Sequence, residues 1–224
     1  MTNKLIHAAS MGNLPNVKEL LKKGSDINAK NGEGWTALTL ACREGHTQVV
    51  AELLERGADT KIKDNNGWTA LMWAASTGHS AAVRLLLDKG TDLEARDQYG
   101  ATALMKSCRR GFLEVAGLLL GKGAQVNAKD DYSSTALMRA SRRGYSDVVK
   151  MLLENGADPE AHDQYGATAL ILASAEGHLE VVKRLLEANA NLYAKDRNGW
   201  TALMWASSAG NAEVVELLKS YAKV

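Results

Sequence analysis

The stretch Gly67-Trp68-Thr69-Ala70-Leu71 constrains this chain more than any other, because it returns on a fixed beat. Gly34-Trp35-Thr36-Ala37-Leu38 precedes it, and Gly100-Ala101-Thr102-Ala103-Leu104 follows. Ser133-Ser134-Thr135-Ala136-Leu137, Gly166-Ala167-Thr168-Ala169-Leu170 and Gly199-Trp200-Thr201-Ala202-Leu203 complete the series. Successive threonines, from Thr36 to Thr201, stand 33 residues apart. Gly45, Gly78, Gly111, Gly144, Gly177 and Gly210 keep the same interval, and Gly12 extends it backwards, so seven units fill the chain. Their bounds are about 1–30, 31–63, 64–96, 97–129, 130–162, 163–195 and 196–224, one repeat domain over 1–224. No unit of this length buries its apolar face alone, so an unbroken period means a stacked array.

One unit reads as turn, helix, helix and return. Asp64-Asn65-Asn66-Gly67 is turn chemistry. Thr69 opens a helix with a hydroxyl suited to cap its free amides, and Gly78 stops it. A second helix is expected from about Ser80 to Asp88, with Val83-Arg84-Leu85-Leu86-Leu87 on its buried side. Thr91-Asp92-Leu93-Glu94-Ala95 then leads to the next turn.

The pattern Asp-x-x-Gly-x-Thr-Ala-Leu, then Gly-His, then Leu-Leu-Glu-x-Gly-Ala-Asp resembles the ankyrin repeat. Leu54-Glu55-Arg56-Gly57-Ala58-Asp59 and Leu153-Glu154-Asn155-Gly156-Ala157-Asp158 are clear copies. The resemblance covers the whole chain. It implies an all-α ankyrin-repeat solenoid of stacked helix-turn-helix units with short β-hairpin turns. Two departures recur: alanine, as at Ala70, where the family often has proline, and methionine, as at Met72, where it often has histidine. Both suit a packed helix. The first unit lacks the turn and begins at Leu5-Ile6-His7-Ala8-Ala9, and the last lacks the extended return. Units that differ in this way are expected to cap a complete array.

Composition excludes several classes of function. The formal net charge is +1, and no apolar run approaches the roughly 18 to 20 residues of a membrane span. A cytoplasmic monomer is the expectation, with no membrane association and no cofactor. Cys42 and Cys108 share a slot filled elsewhere by Ala75, Ser141, Ser174 and Ser207. That slot takes only small residues, so buried thiols are expected. His46, His79 and His178 follow the unit glycine and are explained by the repeat, and no metal-ligand spacing occurs. No nucleophile elbow or phosphate loop appears, so an enzyme is not expected. Ser133-Ser134 replace the usual turn glycine and are expected to rearrange that turn.

The unusual residues gather in a few slots. Leu71, Ala74 and Ala75 face inward, which puts Trp73 with Ser76 and Thr77 on the opposite face. In ankyrin-like arrays that face and the turn tips line a concave surface that carries partner contacts. All five tryptophans, Trp35, Trp68, Trp73, Trp200 and Trp205, fall in two slots on that side, joined at the tips by Tyr99, Tyr132 and Tyr165. Units four and five add Lys106, Arg109, Arg110, Arg139, Arg142 and Arg143, read here as a basic patch without interleaved acids. Like charges about 10 Å apart repel by roughly 0.4 kcal/mol per pair even in bulk water. Gathering six of them favours a binding role over a solvated face.

The expected function is a non-catalytic protein-interaction scaffold holding an acidic segment of another protein or peptide. Trp, Tyr and Arg dominate binding hot spots. A binder of single-stranded nucleic acid or of another anionic ligand is a weaker alternative, because the charge is near neutral and the patch is confined to two units. An engineered or reconstructed array without a natural target is a further alternative.

Overall fold

The computed structural model describes residues 2–222; Met1 lies outside the described residues, as do Lys223 and Val224, the last two of the stretch read above as lacking a return. Within them are fourteen α-helices, two per repeat. In chain order these are α1 (Thr2–Ser10), α2 (Leu14–Lys22), α3 (Ala37–Glu44), α4 (Thr47–Glu55), α5 (Ala70–Thr77), α6 (Ser80–Asp88) and α7 (Ala103–Arg110). Then follow α8 (Leu113–Gly121), α9 (Ala136–Arg142), α10 (Ser146–Glu154), α11 (Ala169–Ala175), α12 (Leu179–Glu187), α13 (Ala202–Ala209) and α14 (Ala212–Tyr221). They belong to two compact units. The first comprises Met1–Ser107 with Glu114–Ala124, and the second Cys108–Leu113 with Gln125–Val224.

The repeated threonine opens each inner helix as its chemistry requires. Thr69 Oγ1 accepts a hydrogen bond from Met72 N–H at 3.3 Å, and Thr135 Oγ1 does the same for Met138 N–H. Such a cap is worth about 1 kcal/mol. Gly78 ends α5 at φ 80°, a left-handed conformation that side chains disfavour. A histidine then roofs the glycine of the preceding repeat. A Cβ on Gly144 would lie 2.6 Å from the His178 ring, whose Nε2 donates to the Arg142 carbonyl at 3.0 Å. His46 and His79 are tied to the Ser10 and Arg43 carbonyls in the same way. All three histidines are therefore structural staples between repeats.

In the first unit α3 packs between α1 and α5, and α4 between α2 and α6. In the second, α11 packs between α9 and α13, and α12 between α10 and α14. Leu38, Leu53, Leu71 and Leu86 fill the first core, and Leu137, Leu152, Leu170 and Leu185 the second. Each is worth about 1.5–3 kcal/mol when fully buried. The small-residue slot is fully buried at Cys42, Ala75, Cys108, Ser141 and Ser174. The Ser141 and Ser174 hydroxyls find no hydrogen-bond partner there, so the slot selects for size, not polarity. Burial also pushes the Cys42 thiol well above its ordinary pKa. Cys42 and Cys108 should react with a thiol reagent only as fast as the protein unfolds. Rapid labelling of either in the native protein would contradict this packing.

Two expectations need correction. The turns do not form β-hairpins: among the described residues the pairing is reduced to one isolated bridge, His162 with Thr168. The cause is the turn aspartate. Asp64 Oδ1 captures the N–H groups of Asn66 and Trp68, both at 2.9 Å, which leaves Asp64 N to Trp68 O and Gly67 N to Asp64 O as the backbone links within the turn. Nor does Ser133-Ser134 rearrange its turn. Ser133 simply takes the glycine conformation, at φ 58°, while Asp130 Oδ1 still accepts from Tyr132 and Ser134 N–H. That left-handed backbone costs a serine roughly 1–2 kcal/mol.

Candidate functional site

Every aspartate at the start of a turn is buried: Asp64, Asp97, Asp130, Asp163 and Asp196. One carboxylate oxygen holds the turn, as described. The other faces the first helix of the same repeat, nine residues on. Trp73 Nε1 donates to Asp64 Oδ2 at 2.8 Å, and Trp205 Nε1 to Asp196 Oδ2 at 2.9 Å. In the fourth and fifth repeats the donors are charged: Lys106 pairs with Asp97 Oδ2, and Arg139 with Asp130 Oδ2.

This corrects the picture of six cations without interleaved acids. Lys106 is 8% exposed, with its ammonium 3.9 Å from the centre of the Trp68 ring. It is an internal counter-ion, and Arg139 is half-buried against Asp130. Arg142 is exposed and stands 3.9 Å from Asp163 Oδ2, a weak pair at that distance and exposure. Arg109, Arg110 and Arg143 are exposed and form no ion pair among the described residues. The aspartates went unread because each looked like ordinary turn chemistry. The nine-residue spacing from acid to donor was the signal available.

The tryptophans are likewise engaged from within. In the first unit Trp35 and Trp73 both donate to Asp64 Oδ2, their rings meeting edge to face at 6.1 Å. Trp68 lies 4.5 Å from Trp73, and the Arg43 guanidinium covers Trp35 at 4.5 Å. In the second unit Trp200 stacks on Trp205 at 4.9 Å and stays 37% exposed. The tip tyrosines Tyr99, Tyr132 and Tyr165 are exposed, as is Tyr193, which the sequence reading did not single out.

The second unit brings part of the expected set together around one cavity of about 290 Å³. Arg109, Arg139, Arg142 and Arg143 line it with Tyr132 and Tyr165, over Met138 and Leu172. Partial burial, and after it the charges of Arg139, Arg143 and Arg110, pull the Arg109 guanidinium below its ordinary pKa. It stays protonated at neutral pH all the same. Arg139 Nε is buried without an acceptor. Four guanidiniums around one hollow, two of them counterbalanced by Asp130 and Asp163, leave an excess of positive charge that an anion would relieve.

Among the described residues no three His, Cys, Asp or Glu side chains are grouped to hold a metal ion. None of the helices there is long and apolar enough to cross a membrane.

Comparison with known proteins places this geometry. A segment of 49 residues is 47% identical to a probable E3 ubiquitin-protein ligase XBOS33 of Oryza sativa subsp. japonica. That match covers 22% of this chain and 9% of the rice protein. The structure resembles the human ASB11 ankyrin repeat domain over 96% of both chains, with a TM-score of 0.86 and 28% identity. The family model described as ankyrin repeats (3 copies) matches residues 5–97, 93–163 and 155–224. With fourteen helices on a 33-residue period and that model matched end to end, the chain belongs to the ankyrin repeat family.

Proposed function

We propose that this protein is a non-catalytic interaction module whose second unit binds an acidic segment of a partner protein. Ankyrin repeats generally mediate protein–protein interaction, and the arginine-lined cavity supplies the specificity. The observation that carries the reading is the buried Arg139 Nε without an acceptor, in a hollow shared with Arg109, Arg142 and Arg143. A carboxylate entering there would take charge-assisted hydrogen bonds from these guanidiniums, of which Arg139 is already held by Asp130. Tyr132 and Tyr165 would flank the entering chain. Trp200, with its exposed face, extends the same surface towards the last repeat. Lys106, Trp35 and Trp73 enter this reading as support for the turn tips, because their polar groups are satisfied internally, and Trp68 because its ring packs on Trp73 and Lys106.

The test is a selection of random peptides displayed against the immobilised protein. Asp and Glu should be enriched, and captured peptides should be released progressively as salt rises, because exposed charges are screened. A selection without acidic bias, or one insensitive to salt, would overturn the proposal.

A further inference from the structure

The sixth repeat departs from a rule that the other aspartate-bearing repeats keep. Asp64, Asp97, Asp130 and Asp196 each receive a donor from the residue nine positions on. Asp163 does not, because that position is Leu172, which has no donor to offer. Asp163 Oδ1 still holds its turn, accepting from Tyr165 and Ala167 N–H at 2.9 and 3.0 Å. Among the described residues its Oδ2 has only the Arg142 guanidinium at 3.9 Å, beyond hydrogen-bonding range. Leucine is also smaller than the tryptophan or arginine found at this position elsewhere. Beside it lies a cavity of about 320 Å³, lined by Ile171, Leu172 and Ala175 and bordered by Trp205, Tyr165, Glu176 and Asp196. Asp163 lines it, and so does Arg142, which also lines the arginine cavity.

We infer that this second cavity takes an indole side chain of the partner, with its N–H donating to Asp163 Oδ2. The partner would supply what Trp73 and Trp205 supply within their own repeats. Complementarity selects the occupant. The carboxylate requires an N–H or O–H donor, which excludes aliphatic side chains. A lysine ammonium would lose its hydration over Ile171 and Leu172 and would stand beside the Arg142 guanidinium, which offsets the attraction of the acids there. An indole brings one donor and a large apolar body, and Trp205 offers it a ring to pack on. The inference rests on the reading of the second unit as a face that binds an acidic segment. Neighbouring helices lie about 10 Å apart, and an extended chain covers that distance in about three residues. The partner's acid and tryptophan are therefore expected about three positions apart.

The same peptide selection tests this point separately. On the wild-type protein, Trp should be enriched alongside Asp and Glu. On Ala175→Gln, which lays a polar chain over this cavity at a residue outside the arginine cavity, the Trp enrichment should vanish while the acidic enrichment stays. A Trp-containing peptide from the first selection should bind that variant at least about tenfold more weakly, a loss of about 1.4 kcal/mol. Leu172→Trp, which restores the internal donor but borders both cavities, is expected to give at least the same loss of that peptide. Acidic enrichment without Trp, enrichment of Lys or Leu in its place, or Trp enrichment that survives in both variants would overturn this inference and leave the acidic reading standing. A selection with no acidic bias would overturn both.

Discussion

Replacing Asp97 with alanine should destabilise the protein by about 3–5 kcal/mol, the range for breaking one side of a buried ion pair. The change removes the carboxylate that pairs with Lys106, a residue only 8% exposed. It also strips the acceptor from Tyr99 and Ala101 N–H, which Asp97 Oδ1 holds at 2.9 and 2.8 Å. Asp97→Asn keeps an acceptor for the turn and should cost less. Adding Lys106→Met to Asp97→Asn should recover part of the loss, because no buried charge then remains. The effect has a defined pH dependence. Burial by itself pushes the Asp97 carboxyl up. Hydrogen bonds from Lys106, Ala101 and Tyr99, together with the Lys106 charge, outweigh that and hold it below its ordinary value. A carboxyl lowered in the folded state contributes its full stability above its unfolded pKa, near 4, and loses it as pH falls through the folded value. The gap between the wild type and Asp97→Asn should therefore be constant near neutrality and shrink in strong acid. Denaturant midpoints of the four proteins across pH measure this directly. A loss below 1 kcal/mol in Asp97→Ala would show that the pair does not organise the turn.

The repeat architecture was legible in the sequence because its determinants are local and recur. Thr69 caps α5, Gly78 ends it, and Ser80–Asp88 forms α6 within the limits read from the sequence. A period repeated seven times leaves little room for a competing fold. The site was only half legible, for a physical reason. Helical spacing shows which residues share a face but not which of them are drawn under the surface by a group in a turn. Lys106 and Arg109 stand on one helix, read alike from the sequence as open cations. The aspartate nine residues before Lys106 makes it an internal counter-ion, while Arg109 has no such partner and stays exposed. The same hidden acids claim the indole N–H groups of Trp35, Trp73 and Trp205. The expected hairpins do not form for the same cause, since the aspartate captures amides that a ladder would have used.

The arginines left over make the binding prediction sharp. Arg109 and Arg143 both line the anion cavity, and neither forms an ion pair among the described residues. Reversing both to glutamate leaves the Asp97, Asp130 and Asp163 pairs untouched. Arg143 ends α9, where a negative charge costs about 0.3–1 kcal/mol against the helix dipole. Loss of the repulsion acting on Arg109 offsets part of that. The double variant should therefore melt close to the wild type. Binding should respond very differently, because close charge pairs across an interface couple by about 1.5 to 7 kcal/mol. An acidic peptide from the selection should lose at least about 3 kcal/mol, more than a hundredfold in affinity. The deciding measurement is a calorimetric titration of that one peptide into the wild type and into Arg109→Glu/Arg143→Glu, each checked by a thermal melt. The account predicts affinity lost with the fold intact. Equal affinity for both proteins would contradict it and place the partner on another surface.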